Sequence, residues 1–590
     1  MVKVLFQRII LLFLFLFVAN YSFAQITNPS QDLTIEKIIE NIAENSSDDA
    51  DFGTIYDDLI AYSEKPLNLN VAQKSDLEKL HFLSDKQVQS ILQFINWNGL
   101  MMSIFELQLI PNLDEETIEM LLPFVKVEPL EMPFYFPLKE VFTNGKHQLF
   151  LRNQFAEQNP AGYQSQDGKT ADYLGNKYHY YVKYQYQYRN KLLWGFTLEK
   201  DPGEQFFKGT QKRGFDYSSF YIQLTDIKQI SKLVIGDFAI QFGQGLVAWS
   251  GMSSGKSSMV MNIAKRPQGL KKYSSSDENL FFRGIASTIS ITKQLDITAF
   301  VSRKDIDASL AIDTTDEQFI ASSLPATGLH NTENEMEKRH AQNIAAYGTN
   351  LTFRGENIRA GASMMGYSYQ YEITPDSSRY NQFTFRGKNN YNIGLDYKYF
   401  FKEMEFFGEV AMDKNRAIAS VHGAVFSLAP RLSLSMLYRY YDKKYQAFFS
   451  NPFRVNSETS NESGIYTGCE FYPAKKIKIS AYLDSYKFEW LKFQTIAPAK
   501  GYDYFVQADY SMNRSVRMSM RWKSKTSPET SSADPEATMA QNTNTKATSF
   551  RYHISYQLLP NFKMANRAEV THYEKESTCA DGFMIYQDIQ

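Results

Sequence analysis

Lys177 to Arg189 reads KYHYYVKYQYQYR. Taken two residues at a time, Tyr180, Val182, Tyr184, Tyr186 and Tyr188 fall on one side, and Lys183, Gln185, Gln187 and Arg189 on the other. Side chains alternate faces along a strand, so this stretch has one aromatic face and one hydrated face. The pattern recurs from Lys146 to the end of the chain. Leu432, Leu434, Met436, Tyr438 and Tyr440 alternate with Ser433, Ser435 and Arg439; Ile477, Ile479, Ala481 and Leu483 with Lys478, Ser480 and Asp484; Val516, Met518, Met520 and Trp522 with Arg517, Ser519, Arg521 and Lys523. About twenty such segments are visible, each near the nine to eleven residues that a tilted strand needs to cross lipid. An unpaired backbone N–H or C=O in hydrocarbon costs several kcal/mol, so the strands are expected to close on themselves.

The connections support that reading. Short ones fall at Asn190-Lys191, Gly355-Glu356, Phe401-Lys402, Ala429-Pro430, Pro473-Ala474, Met512-Asn513 and Pro560-Asn561. Long polar ones fall near 157–175, 200–216, 241–281, 304–343, 371–389, 442–462, 489–501, 524–546 and 574–582. Barrels of the bacterial outer membrane have short periplasmic turns and long extracellular loops. The first connection is long, so the first strand is expected to run outward and the N-terminal region to be periplasmic. The tyrosines of Lys177 to Arg189 then face lipid, and its Lys, Gln and Arg side chains face the lumen.

Composition agrees. The chain has 590 residues, with 38 Tyr and 44 Phe, which suits a barrel with aromatic girdles. A formal net charge of -2 gives no global basic field for nucleic acid. Mean hydropathy is -0.40, and past the N-terminus no apolar run reaches the length of a spanning helix. Cys469 and Cys579 match no metal or redox spacing and read as two isolated thiols, with one disulfide as the alternative. Residues 1–24 read as a signal peptide: Lys3 and Arg8 precede the apolar Ile9 to Val18, and Ser22-Phe23-Ala24 fits a cleavage site. The chain stops on Gln590 partway into a candidate strand beginning at Phe583, which leads us to expect a truncated version of a longer protein.

Between these regions the period changes over residues 31 to about 128, and a helical domain is expected over 25–128. Ile35, Ile38, Ile39 and Ile42, then Leu77 and Leu80, then Val88, Ile91, Leu92 and Ile95 recur at helical spacing. Ser75-x-x-Glu78, Ser84-x-x-Gln87 and Ser103-x-x-Glu106 read as capping boxes, Asp114 as the cap of a last helix, and Gly99 as a helix stop. Pro129, Pro133 and Pro137 make residues 129–145 a stiff linker, and the barrel occupies 146–590.

Residues 65–125 resemble the tandem helix-hairpin-helix module of competence-type DNA-binding proteins. Asn68, Asn70 and Ala72 match its Asn-x-Asn-x-Ala opening, Leu77 and Leu80 its first helix, Gly99 its turn, and Glu106-Leu107 its acidic-Leu pair. The resemblance implies hairpins whose glycines bring backbone N–H groups against phosphate. Here the hairpins are Phe82-Leu83-Ser84 and Asn112-Leu113-Asp114, without glycine, and Asp114 puts a carboxylate where phosphate would sit. Residues 64–128 hold ten acidic and five basic side chains. A scaffold or protein-docking role is therefore preferred to DNA binding. The combination of this domain with a barrel resembles a family of barrel proteins from the Bacteroidota.

The remaining motifs carry less. In GMSSGKS, Gly251 to Ser257, three residues separate the glycines where a phosphate loop needs four. Gly236, Gly243, Gly245 and Gly251 cluster in GDFAIQFGQGLVAWSG and suggest a tight bend, read as a constriction or plug folded into the lumen, or as a plain extracellular loop. His81, His179, His330, His340 and His422 show no paired metal spacing, and no nucleophile elbow accompanies His422 and Asp413. No catalytic residue, metal or cofactor is expected. The chain reads as an α + β membrane protein: a small all-α domain followed by a large antiparallel barrel, bathed in outer-membrane lipid. Its expected role is non-enzymatic, in envelope transport or assembly with a periplasmic protein partner. A DNA-uptake conduit and an adhesin acting through loop 304–343 are the alternatives.

Overall fold

The computed structural model describes residues 35, 38, 39 and 53–589, apart from 65, 73, 78, 112, 129–144, 165–171, 189–190, 213, 252–254, 280, 313–316, 514, 532–541 and 560–561. The signal segment and the proline linker 129–144 lie outside these residues. Among the described residues, no helix is long and apolar enough to cross a membrane.

From Lys146 onward the chain is one large antiparallel sheet. Among the described residues it has twenty strands of nine residues or more, from Lys146–Phe155 and Tyr178–Tyr188 to Phe562–Lys575 and Thr578–Ile589, and three short ones. Each long strand pairs with its neighbours in sequence, and Phe282–Ser290 bridges back to Ile230–Gln241 past the short Gly269–Lys272. The winding brings the last strand round to the first. No residue register is defined across that seam among the described residues; Thr578–Ile589 is registered only with Phe562–Lys575, and Lys146–Phe155 only with Tyr178–Tyr188. Both are the barest strands, with Phe583 83% exposed, so the sheet curls into a barrel wall that is not closed there.

The two faces of this wall are inverted relative to a water-soluble protein. Leu395 is 65% exposed on the outer face, with Tyr391, Ile393, Tyr397, Tyr399 and Phe401 along the same strand. On the inner face Arg439 is 0% exposed, and Asp484, Glu409 and Asn392 are equally hidden. A pleated strand can do this only if its alternate residues meet different solvents.

Short turns and long connections alternate, with two exceptions at the long-loop end. Residues 414–417 form a short link, and 576–577 join Phe562–Lys575 to Thr578–Ile589. The stretch 574–582 is therefore not a long loop, and the last strand starts at Thr578 rather than Phe583. Glu576 takes φ +54°, the left-handed conformation that a two-residue hairpin demands, and the polar residues after it simply continue the ladder.

The helical domain contains helices Gly53–Glu64, Lys74–Leu77, Asp85–Asn98 and Glu115–Leu121, tied off by the two-residue parallel pairing of Leu67–Asn68 with Val125–Lys126. Ser84 and Gln87 form a reciprocal capping box, and Asp114 Oδ1 accepts the Thr117 N–H at 2.9 Å. Ser103 and Glu106 form the same box on the 3-10 turn Ile104–Leu109, not on an α-helix. Ser75 does not cap: the helix already begins at Lys74, and Glu78 lies outside the described residues. The Asn70 side chain stitches the domain together by donating to Met101 O and accepting the Met101 N–H.

Candidate functional site

Part of the lumen is filled. Strand Ile230–Gln241 ends in the segment 242–268, whose described residues turn inward instead of looping away. Leu246, Val247, Ala248, Val260 and Ile263 pack with the inward side chains Phe238, Phe282, Phe300, Phe407, Leu437 and Tyr466 into one buried core. Alternation puts polar side chains in the lumen; over this half of the wall the inward side chains form an apolar core instead. Burying that surface contributes about 25 cal/mol per Å² and holds the segment as a plug.

Polar contacts fix the plug's position. The Glu409 carboxylate accepts the backbone N–H groups of Gln244 at 2.5 Å and Leu246 at 3.1 Å. Gly243 makes this approach geometrically available: it has φ +55°, and a Cβ there would sit 2.6 Å from the Glu409 carboxylate. Gly236, Gly245 and Gly251 also take positive φ; Gly236 lies within the strand, where a Cβ would meet Phe220 O at 2.3 Å. Tyr445 donates to Leu246 O, while Ser435 and Tyr466 both donate to Val260 O. Lys256, the lysine of GMSSGKS, pairs with Asp484 at 3.0 Å and Asp503 at 2.7 Å. Asp484 also binds Arg439, which in turn holds Glu462 at 2.5 Å. Buried charges persist when each faces an opposite charge, as these do.

The plug reaches the helical domain. Met259 packs against that domain's core, so plug and domain touch through the lumen. Arg517 pairs with Glu119, and Tyr472 Oη donates to Asp114 Oδ2 at 3.4 Å. The domain thus caps the short-turn end of the barrel and encloses a cavity of about 510 Å³. Phe82, Ser84, Leu113 and Asp114 line that cavity, so both hairpins face the barrel; Leu83 is buried in the domain core, and Asn112 lies outside the described residues. Along Tyr178–Tyr188 the inward Lys183 and Gln185 contact Ser274, Tyr221 and Lys272. Tyr186 and Tyr188, placed on the lipid face by alternation, are buried, with Tyr186 against Gly145.

At the opposite end, two long connections, 201–216 and 307–341, meet on His330, a site that sequence spacing did not show. Its Nδ1 lies 2.5 Å from Asp216 and its Nε2 2.9 Å from Asp307, and its backbone N–H donates to Glu204 at 3.1 Å. Arg339 adds a contact to Asp216 at 3.2 Å. Burial opposes a charged ring, but the bonds and charges of Asp216 and Asp307 outweigh it and hold His330 protonated, up to about 10. Burial, with Asp216 beside it, pushes Glu204 up to about 8. Glu204, Asp216 and His330 lie close enough to hold a cation, as do His179, Glu199 and Asp201, but both ring nitrogens of His330 already face carboxylates. His422 and Asp413 are not brought together: His422 meets Tyr397 on the outer face, whereas Asp413 accepts the N–H groups of Asn415 and Ala417. Cys469 and Cys579 are both free thiols.

No protein-family model matches the chain, and no curated protein does. Among solved structures, OccAB3 of Acinetobacter baumannii aligns over 76% of this chain and 100% of its own, at 10% identity and a TM-score of 0.28. Wzi of Escherichia coli, described as an outer membrane protein involved in group 1 capsule assembly and a carbohydrate-binding β-barrel, aligns over 92% and 98%, at 10% identity and 0.29. The FrpB iron transporter from Neisseria meningitidis (F5-1 variant) aligns over 70% and 72%, at 10% identity and 0.36. Likenesses at this level define neither a family nor a function for the chain.

Proposed function

We propose that this chain is a non-enzymatic outer-membrane barrel whose passage is shut at rest, and that it serves envelope transport or assembly. The helical domain lies on the periplasmic side and docks a protein partner. The carrying observation is the plug, which is pinned by Glu409, Lys256 and Ser435 and touches the cap through Met259. The apolar outer face and inward charges support a lipid setting, and the sorting of short turns from long loops supports the orientation. The hairpins face the cavity, which leaves a DNA-gripping role without support. Epitopes inserted on intact cells test this address. A tag at Lys191 should stay hidden and one at Ser378 should be labelled; the reverse pattern defeats the orientation. The full chain should also give no salt-sensitive shift of duplex DNA.

A further inference from the structure

The cap turns one face toward the barrel and leaves another bare. Phe82, Ser84, Gln87 and Asp114 line the cavity, and Glu119 pairs with Arg517. Helix Asp85–Asn98 starts at that cavity and, at about 1.5 Å per residue, ends roughly 20 Å along from it. Past its stop at Gly99, the chain from Leu100 to Leu109 divides its apolar side chains between two environments. Met101 and Leu107 are buried in the domain core. Trp97 is 80% exposed, Met102 89% and Phe105 75%, with Leu100 and Leu109 standing out beside them. None of these five lines the cavity.

Five large apolar side chains this bare present on the order of 600 Å². Soluble monomers seldom expose a contiguous apolar patch beyond a few hundred Å², and a standard protein interface takes about 800 Å² from each side. The patch is also held ready in shape. Ser103 and Glu106 cap the 3-10 turn Ile104–Leu109, and Asn70 clasps the Met101 backbone through both its N–H and its carbonyl. A surface fixed in advance spends little ordering itself on binding.

Charge selects the occupant. From Gln87 to Val125 there is no Lys or Arg, against five acids. Asp114 and Glu119 turn to the barrel. Glu106 stays with the patch: its carboxylate accepts the N–H groups of Met102 at 2.8 Å and Ser103 at 2.9 Å, and among the described residues it forms no ion pair. An anionic lipid surface calls for lysine or arginine around the apolar side chains, and this stretch has none. A second copy would bring the same acid and the same lack of cations, burying each Glu106 without an opposite charge.

We infer that the face formed by Trp97, Leu100, Met102, Phe105 and Leu109 docks an apolar segment of a periplasmic protein, and that this segment carries a lysine or arginine to meet Glu106. The assignment rests on the docking role proposed for the helical domain, and gives that role a surface and a chemistry.

The full chain in phosphatidylcholine nanodiscs tests it with two synthetic amphipathic helices, one with a leucine face flanked by lysines and one with those lysines replaced by glutamates. The lysine peptide should bind saturably and at least about tenfold more tightly than the glutamate peptide. Met102→Ser with Phe105→Ser should weaken it about tenfold; the difference from the parent chain removes any binding to lipid. Glu106→Gln keeps the helix cap, since glutamine fills the same place in a capping box, and should erase most of the preference for lysine. Unchanged melting of the helical domain checks that the variants are folded, and Trp97→Ser replaces the double variant if that one is not. Equal binding of both peptides, binding that the patch variants leave intact, or no binding up to about 1 mM overturns the inference. So does patch-dependent pairing of nanodiscs, which would mean a second copy, or patch-dependent capture of phosphatidylglycerol vesicles, which would mean lipid. A periplasmic protein that copurifies equally with the parent chain and the double variant would sink this surface and leave the docking role standing; if none copurifies with either, the docking role itself falls.

Discussion

Two inward-facing arginines, Arg439 and Arg521, occupy equivalent alternation positions on barrel strands and have different surroundings. Arg439 is sealed: Glu462 and Asp484 take its guanidinium, Lys256 from the plug shares Asp484, and Phe453 lies across it. Arg521 stands on a cavity wall, opposite another arginine and bonded to a neutral amide. The strand pattern alone makes both of them lumen residues. The plug separates them, because it covers the wall around Arg439 and stops short of the wall around Arg521. An inward charge is held by the plug where the plug supplies its counter-charge, as at Arg439, and by neighbouring wall residues elsewhere, as at Arg521.

The largest effect should come from breaking the sealed side. Arg439→Met takes the counter-charge from buried Glu462 and leaves Asp484 with Lys256 alone, and should cost about 3–5 kcal/mol, read as a drop in the unfolding temperature in micelles. A comparable change at Arg521 should leave stability nearly unchanged; if both variants fall equally, the contrast fails. Glu409→Gln removes the charge on the bonds to the Gln244 and Leu246 amides and should cost about 1–3 kcal/mol, with the plug becoming open to cleavage before the wall unfolds.

A pH effect on the loop end should be smaller. His330 is held charged in the folded loops, up to about 10, so its contribution is complete below its ordinary value and is lost as pH rises through about 10. Glu204, raised to about 8, acts in the same direction, because raising the pH through that value forces a charge into a buried site. Proteolysis within 201–216 and 307–341 should therefore accelerate between pH 7 and pH 10, and His330→Gln should flatten that rise. A rate independent of pH would detach the loops from this cluster. The smallest effect is expected at Asp114→Ala, about 1 kcal/mol from the lost helix cap, seen as earlier melting of the cap alone.

Much of the wall was legible from alternation, because lipid and lumen impose a period of two on each strand. Lys183, Gln185 and Arg439 face inward as read. The hairpin at 576–577 was misread because polar residues after Glu576 look like loop, while backbone pairing carries them as strand. The apolar lumen was misread for a different reason: Phe238, Phe282 and Phe407 are inward residues whose partners, Leu246 and Val260, come from a segment with no periodicity of its own. The glycines at 236, 243, 245 and 251 signalled the bend, and only the Glu409 contacts place it. His330 was invisible as a cluster, since Asp216 lies on another connection, Asp307 lies 23 residues away on its own, and no local spacing links them.

Single-channel recording in a planar bilayer tests the shut barrel most directly. The full chain should be silent, and a variant with residues 243–262 replaced by a short Gly-Ser bridge should pass a steady current. A steady current from the full chain, or silence from the variant once it is shown to be folded, would contradict the account.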